Sequence, residues 1–177
     1  MAQLKAAKKA GQLRWAIVYA TKEGWLYVIV KEVSIFDCDA NRLFNEVMHS
    51  KSLFYVTKPL VKFIETSEYP IPKKWRDGKY LVKVKLLGII PFAQQWIVIR
   101  TDEARCHLLD DGYSRLIKRW HHDIYVVEIG GNKVLYIDLV DIRAGLLTPF
   151  VYLYACVFYR HRQKRWRKLI ANNWAYS

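Results

Sequence analysis

His121-His122 invites a chemical reading first, because two imidazoles side by side suggest a shared metal ion or an acid–base couple. Adjacent residues of a strand point to opposite faces, so an extended backbone keeps these two from sharing an ion or a proton. His122 shares a face with Trp120 and Ile124 and is the better placed of the pair to enter a cavity. A hydrogen-bonded sheet histidine is the plainer alternative. His49, His107 and His161 stand at no ligand spacing from any Cys, Asp or Glu. Asp138 and Asp141 fall on opposite faces of one strand, which excludes a paired-carboxylate site from these two alone. Cys38, Cys106 and Cys156 are odd in number, far apart and without C-x-x-C spacing, so they read as reduced thiols of a cytoplasmic protein. The chain carries no glycine-rich phosphate loop, nucleophile elbow or H-E-x-x-H motif, and no metal or cofactor is implied.

Arg162 offers more. It sits in a segment, Thr148 to Asn172, that reads as one helix of about 24 residues and roughly 36 Å. Thr148 is placed to cap its start, and Pro149 suits the first turn. Val151, Ala155, Phe158, Tyr159, Trp166, Leu169 and Ile170 form an apolar stripe at 100° per residue, and Arg162 is its one interruption. A guanidinium on a core-facing stripe must be paired or reach water. Its partner is either a sheet carboxylate, Glu128 or Asp138, or the carboxylate or carbonyl of a ligand, which Arg binds through a planar fork of donors.

The elements that position these residues follow from hydrophobic pattern. Trp25–Phe36 is β-branched and aromatic enough for a long strand. Asp37 and Asp39 offer caps for a short amphipathic helix carrying Ala40, Leu43, Phe44 and Val47, and a second short helical or turn segment runs from Ser52 to Lys58. Strand-like runs follow at 60–65, 79–87, 94–101, 104–109, 114–129 and 133–143. Asp110-Asp111-Gly112 and Gly130-Gly131-Asn132 read as hairpin turns between them. Met1–Gln12 is rich in Ala and Lys, and the patch Trp15–Tyr19 is too short for a secretory core, which leaves a short helix or a frayed extension. An organellar transit peptide is the alternative for this acid-free start.

Charge narrows the partners. The chain carries a net +13 over 177 residues, but five of its 29 Lys/Arg lie in residues 1–22 and six in residues 160–177, with no acid in either stretch. Residues 23–159 are left with a net charge of only +2. Nucleic-acid binders interleave basic and aromatic residues over one broad face, so no nucleic acid is expected. Basic ends suit weak contact with an anionic membrane surface, or solubility alone. The longest uncharged apolar run, 144–159, contains Gly145 and Pro149 and is too short to read as a membrane span.

The order strand, two short helices, strands, long helix resembles the START-like, or SRPBCC, helix-grip superfamily, and within it the polyketide cyclase/dehydrase and coenzyme Q-binding-like branch. The likeness rests on Asp37–Val47, Leu116–His122, Gly130–Val134 with Asp138, and Phe158–Arg162, and it covers residues 25–172. It implies an α+β fold, a curved antiparallel sheet wrapped around a long C-terminal helix. Residues 1–24 would be a basic extension and residues 173–177 a tail. It also implies a deep cavity for a hydrophobic small molecule such as a lipid, quinone or polyketide.

Tyr80, Val82, Trp96, Trp120, His122, Phe158 and Arg162 are the expected ligand-binding residues. The cavity should open between the long helix and the loops at 69–78 and 87–92, where Gly88 and Pro91 interrupt the strands. Binding or carriage without chemistry is the expected function, since no convergent titratable pair is visible. The alternative is a cyclase or dehydratase using Arg162, His122 or Tyr113.

Overall fold

Eight antiparallel strands in the order β1-β2-β8-β7-β6-β5-β4-β3 make one sheet, and a 24-residue helix lies across it. The computed structural model describes residues 12–20 and 26–176, with backbone alone for 12–20 and for Leu26. The strands are β1 (Gln12–Ala20), β2 (Leu26–Asp37), β3 (Val61–Glu65), β4 (Gly78–Leu86), β5 (Ile90–Asp102), β6 (His107–Ser114), β7 (Arg119–Gly130) and β8 (Lys133–Arg143). Two short helices, α1 (Ala40–Val47) and α2 (Ser50–Thr57), follow β2, and α3 (Thr148–Ala171) closes the fold. The lysines at 5, 8, 9 and 22 and the tail residue Ser177 lie outside the described residues.

This is a curved antiparallel sheet gripping a terminal helix, with the two short helices after the long strand β2. Alternation sets its inner face: Val82 and Val84 of β4, Ile97 and Ile99 of β5, Ile124 and Val126 of β7, and Val140 and Ile142 of β8 are all buried. Against them α3 buries Ala155, Phe158, Tyr159, Arg162, Trp166 and Leu169, the stripe its period predicts.

Three local readings change. Gln12–Ala20 is neither helical nor frayed; it pairs with Leu26–Ser34 of β2 as an edge strand, Gln12 opposite Ser34 and Ala20 opposite Leu26. Its β-branched and aromatic residues join a sheet edge that the sequence alone leaves open. Thr148 is the first helical residue rather than the cap, and its hydroxyl accepts a hydrogen bond from the Ala144 N–H (3.1 Å) across a 3-10 turn.

Asp110-Asp111-Gly112, read as a hairpin, lies inside β6. The true reversals are the 3-10 turn at Glu103–Arg105, with Cys106 at φ +46°, and the bend at 115–118, tied by Ser114 N–H to Ile117 O (2.7 Å). Gly112 is there for space. A Cβ on it would sit 2.7 Å from the Trp96 carbonyl oxygen and 3.1 Å from Asp110 Oδ1.

Beyond α3 the chain folds back. Tyr176 places its hydroxyl on Ser52 (2.6 Å) and on buried Glu46, which also pairs with Arg42 (3.0 Å). The tail is therefore part of the packing over α1 and α2.

Candidate ligand-binding cavity

Helix α3 cannot follow the curved sheet along its whole length, and a cavity of about 330 Å³ remains between them. Val61 and Phe63 of β3, Val84 and Leu86 of β4, Phe92 and Ile97 of β5, and Phe158 of α3 make an apolar wall. Leu147 and Phe150 belong to the lining and are also exposed, so they mark the opening beside the β4–β5 hairpin. Of the two loops expected to flank the mouth, the one at 87–92 does so, and the one at 69–78 contributes nothing to the lining.

One end of the cavity is polar, and its geometry begins behind the wall at Asp138. This carboxylate is 0% exposed and is held from four sides. Oδ1 accepts from His122 Nε2 (2.9 Å) and the Tyr136 hydroxyl (3.3 Å) and pairs with Arg162 Nη1 (3.3 Å). Oδ2 accepts from Gln163 Nε2 (3.1 Å), which also donates to the Glu32 carbonyl (2.8 Å). Burial alone would raise the Asp138 pKa, but Arg162, His122 and Gln163 outweigh it and hold the carboxyl below its ordinary range. Burial lowers His122, so its imidazole is neutral, and with Nε2–H donated to Asp138 its Nδ1 is left as an acceptor.

Arg162 is 4% exposed and pairs with Asp138 through Nη1, and among the described residues its buried Nε–H has no partner. A buried, charged donor without a partner costs stability. Arg162 lines the cavity. Asp110, opposite His122 in the β6–β7 register, lines it too. Its Oδ1 accepts the Val98 N–H (3.0 Å) at a point where the β5–β6 ladder has no pair between Trp96–Tyr113 and Ile99–Asp110. Burial pushes the Asp110 carboxyl up to about 7 against that hydrogen bond. The polar end thus combines a buried guanidinium, a neutral imidazole and a carboxyl that holds its proton near neutrality.

Of the seven expected site residues, Trp120, His122, Phe158 and Arg162 line the cavity together. Trp96 does not, because Gln95 and Ile97 take the inward positions of β5. It packs on the outer face against Tyr69 (4.9 Å) and Tyr113 (6.4 Å), which also removes Tyr113 from the cavity. Val82 has the inward parity but is sealed in the core, and Tyr80 packs on Trp75 (5.5 Å) and donates to the Arg76 carbonyl (3.0 Å).

Gln95 and Asp110 were missed. Asp110 was hidden by the turn-like Asp-Asp-Gly, although its even spacing from the apolar Leu108 was the signal that it points inward. His121 behaves as its parity requires, on the outer face with Asp111 (2.8 Å). Asp141 pairs there with Arg119 (2.7 Å).

Among solved structures, a START superfamily protein from Mycobacterium smegmatis superposes with a TM-score of 0.60 over 81% of this chain and 97% of its own, at 13% identity. The chain has the START-like helix-grip fold. An aromatase/cyclase from a Streptomyces strain shares it with a TM-score of 0.54 over 83% and 93% of the two chains, at 8% identity. Truncated norcoclaurine synthase from Thalictrum flavum shares it at 0.56, over 81% and 93%, at 9% identity. No family model matches the sequence, and no curated protein matches it. Among the described residues, this START-like fold includes no helix long and apolar enough to cross a membrane.

Proposed function

We propose that the cavity binds and carries an amphipathic small molecule, its apolar body along Val84, Leu86, Phe92 and Phe158 and its polar end at Arg162, His122 and Asp110. The observation that carries this reading is the buried Arg162 guanidinium in the lining of a largely apolar cavity, together with His122 and Asp110. A ligand carboxylate or carbonyl would accept from this guanidinium, the first donor. Asp110, protonated below about 7, would add a second, and His122 Nδ1 would accept from a ligand hydroxyl. A volume of about 330 Å³ lies at the lower end of the range of roughly 300–1,000 Å³ for small-molecule sites, so one compact ligand or part of a longer chain fits. Free thiols at Cys38, Cys106 and Cys156 support a cytoplasmic setting.

A second reading, a cyclase or dehydratase acting on a polyketide-like molecule, is favoured by one observation. Asp110 and His122 stand opposite one another, one a carboxyl titrating near 7 and the other a neutral imidazole, a combination suited to proton transfer. Two of the similar folds are named as an aromatase/cyclase and a synthase.

Native mass spectrometry of protein purified without detergent tests the first reading. A retained small molecule of stoichiometry one, lost in Val84→Trp, supports carriage. Conversion of a candidate polyketide that Asp110→Asn abolishes without loss of binding moves the assignment to the enzyme.

A further inference from the structure

Helix α3 exposes a second stripe, on the side away from the sheet, and it changes character along its length. Phe150, Leu153 and Val157 come first, all exposed, Phe150 to 71%. Arg160, Lys164 and Lys168 continue the same line at helical spacing, all exposed, with no ion pair among the described residues. Phe150 to Lys168 spans about 27 Å at 1.5 Å per residue. The apolar half begins at the cavity mouth, because Leu147 and Phe150 also line the cavity.

The other lip of that mouth is the β4–β5 hairpin, and it too is apolar and bare. Leu87, Ile89 and Ile90 are exposed, Ile89 to 75%, while Leu86 and Phe92 on either side of them line the cavity. The lips are tied to one another through Leu60, whose carbonyl accepts from Leu87 N–H (2.7 Å) and from the Tyr154 hydroxyl of α3 (2.6 Å). Leu146, in the turn before α3, is 95% exposed. Apolar side chains this bare and this concentrated around one opening mark a surface that another phase or molecule covers.

We propose that these two lips and the cationic half of α3 form a docking surface for an anionic lipid bilayer. A bilayer supplies both things the surface asks for: an apolar layer for Phe150, Leu153, Val157 and Ile89, and a negative surface for Arg160, Lys164 and Lys168. A second copy of this chain would offer more apolar surface but the same positive charge. An acidic protein would match the cations, yet it would have to present a matching apolar patch at both lips. With the mouth turned into the bilayer, an apolar molecule passes between membrane and cavity without crossing water. Docking itself needs no occupied cavity, so it is read without a ligand.

The test is co-sedimentation of the full chain with vesicles of phosphatidylcholine alone and of phosphatidylcholine with phosphatidylserine, at low and at high salt. Binding to the anionic vesicles alone, weakened by salt, is expected. Lys164→Glu should weaken it by about fivefold or more, since one cation near such a surface contributes on the order of that factor. Phe150→Ser and Ile89→Ser should each weaken it by about tenfold, the scale of burying one large apolar side chain. Because both residues are exposed, these variants should keep the wild-type melting temperature, which circular dichroism checks. Three results would overturn the proposal. One is absence of binding to anionic vesicles at low salt. Another is binding that ignores Phe150→Ser and Ile89→Ser, which would assign it to charge elsewhere. The third is a concentration-dependent dimer that these same substitutions dissolve, which would give the surface to a second copy.

Discussion

Asp138→Asn removes one negative charge and almost no volume from the polar layer under α3. Arg162 is then left 4% exposed with its carboxylate partner gone. The new amide must also turn its Nδ2 toward either the Arg162 and His122 donors or the Gln163 donor, and Gln163 cannot flip to receive it. Gln163 Oε1 already accepts from the Ser34 hydroxyl, while its Nε2 is held by the Glu32 carbonyl. Breaking a buried pair from one side costs about 3–5 kcal/mol. In a chain of this size, where 1 kcal/mol moves the melting temperature by roughly 2–4 °C, the expected fall is about 6–20 °C. Arg162→Met should cost less, about 1–2 kcal/mol, because Asp138 keeps His122, Tyr136 and Gln163 as donors. The double variant should then be more stable than the sum of the singles by at least about 1 kcal/mol, the signature of a direct interaction. Urea unfolding followed by circular dichroism measures all four proteins. An Asp138→Asn loss below about 1 kcal/mol, or strictly additive singles, would refute the pairing as the reason a charged residue occupies the core stripe.

Other outcomes follow from single contacts. A carboxylate ligand should bind more weakly as pH rises through about 7, approaching tenfold per unit, because Asp110 loses the proton that lets it donate and its charge then repels the ligand. Asp110→Asn should flatten that profile in a fluorescence titration. The same raised pKa means the native state holds a proton that the unfolded chain releases from about 4 upward, so stability attributable to Asp110 should fall between about 4 and about 7 and the Asn variant should lose that slope. Gly112→Ala should lower the melting temperature and disturb the cavity resonances of Gln95 and Asp110 in NMR spectra, since its Cβ meets the Trp96 carbonyl at 2.7 Å. Tyr176→Phe should cost about 1–2 kcal/mol in urea unfolding by leaving buried Glu46 and Ser52 with one partner fewer.

The long elements were legible because their periods are strong. The Ala155, Phe158, Tyr159, Arg162, Trp166, Leu169 stripe and the alternation at Val82 and Val84 placed the helix and an inner sheet face directly. His122 and Arg162 were legible for the same reason: each is a polar residue at a position whose parity or period demands burial. Asp110 was not, because Asp-Asp-Gly is the local chemistry of a turn, and only the tertiary register on Trp120–Tyr125 decides that it is strand. Trp96 failed in the opposite sense: a large aromatic suggests a lining, but Gln95 and Ile97 hold the inward parity, and the outer face has its own aromatic cluster with Tyr69 and Tyr113. The edge strand Gln12–Ala20 depends wholly on pairing with β2, which no local pattern reveals.

Two adjacent residues of β4 allow a matched test of the cavity as a binding site. Val84 faces the cavity and Lys83 faces solvent, so Val84→Trp and Lys83→Trp add the same side chain to opposite faces of one strand. Titration with a fluorescent long-chain carboxylic acid should give saturable one-site binding to the wild type and to Lys83→Trp. Val84→Trp should remove it while retaining the folded far-UV circular dichroism spectrum. Equal binding by both tryptophan variants would place the ligand elsewhere and contradict binding in this cavity.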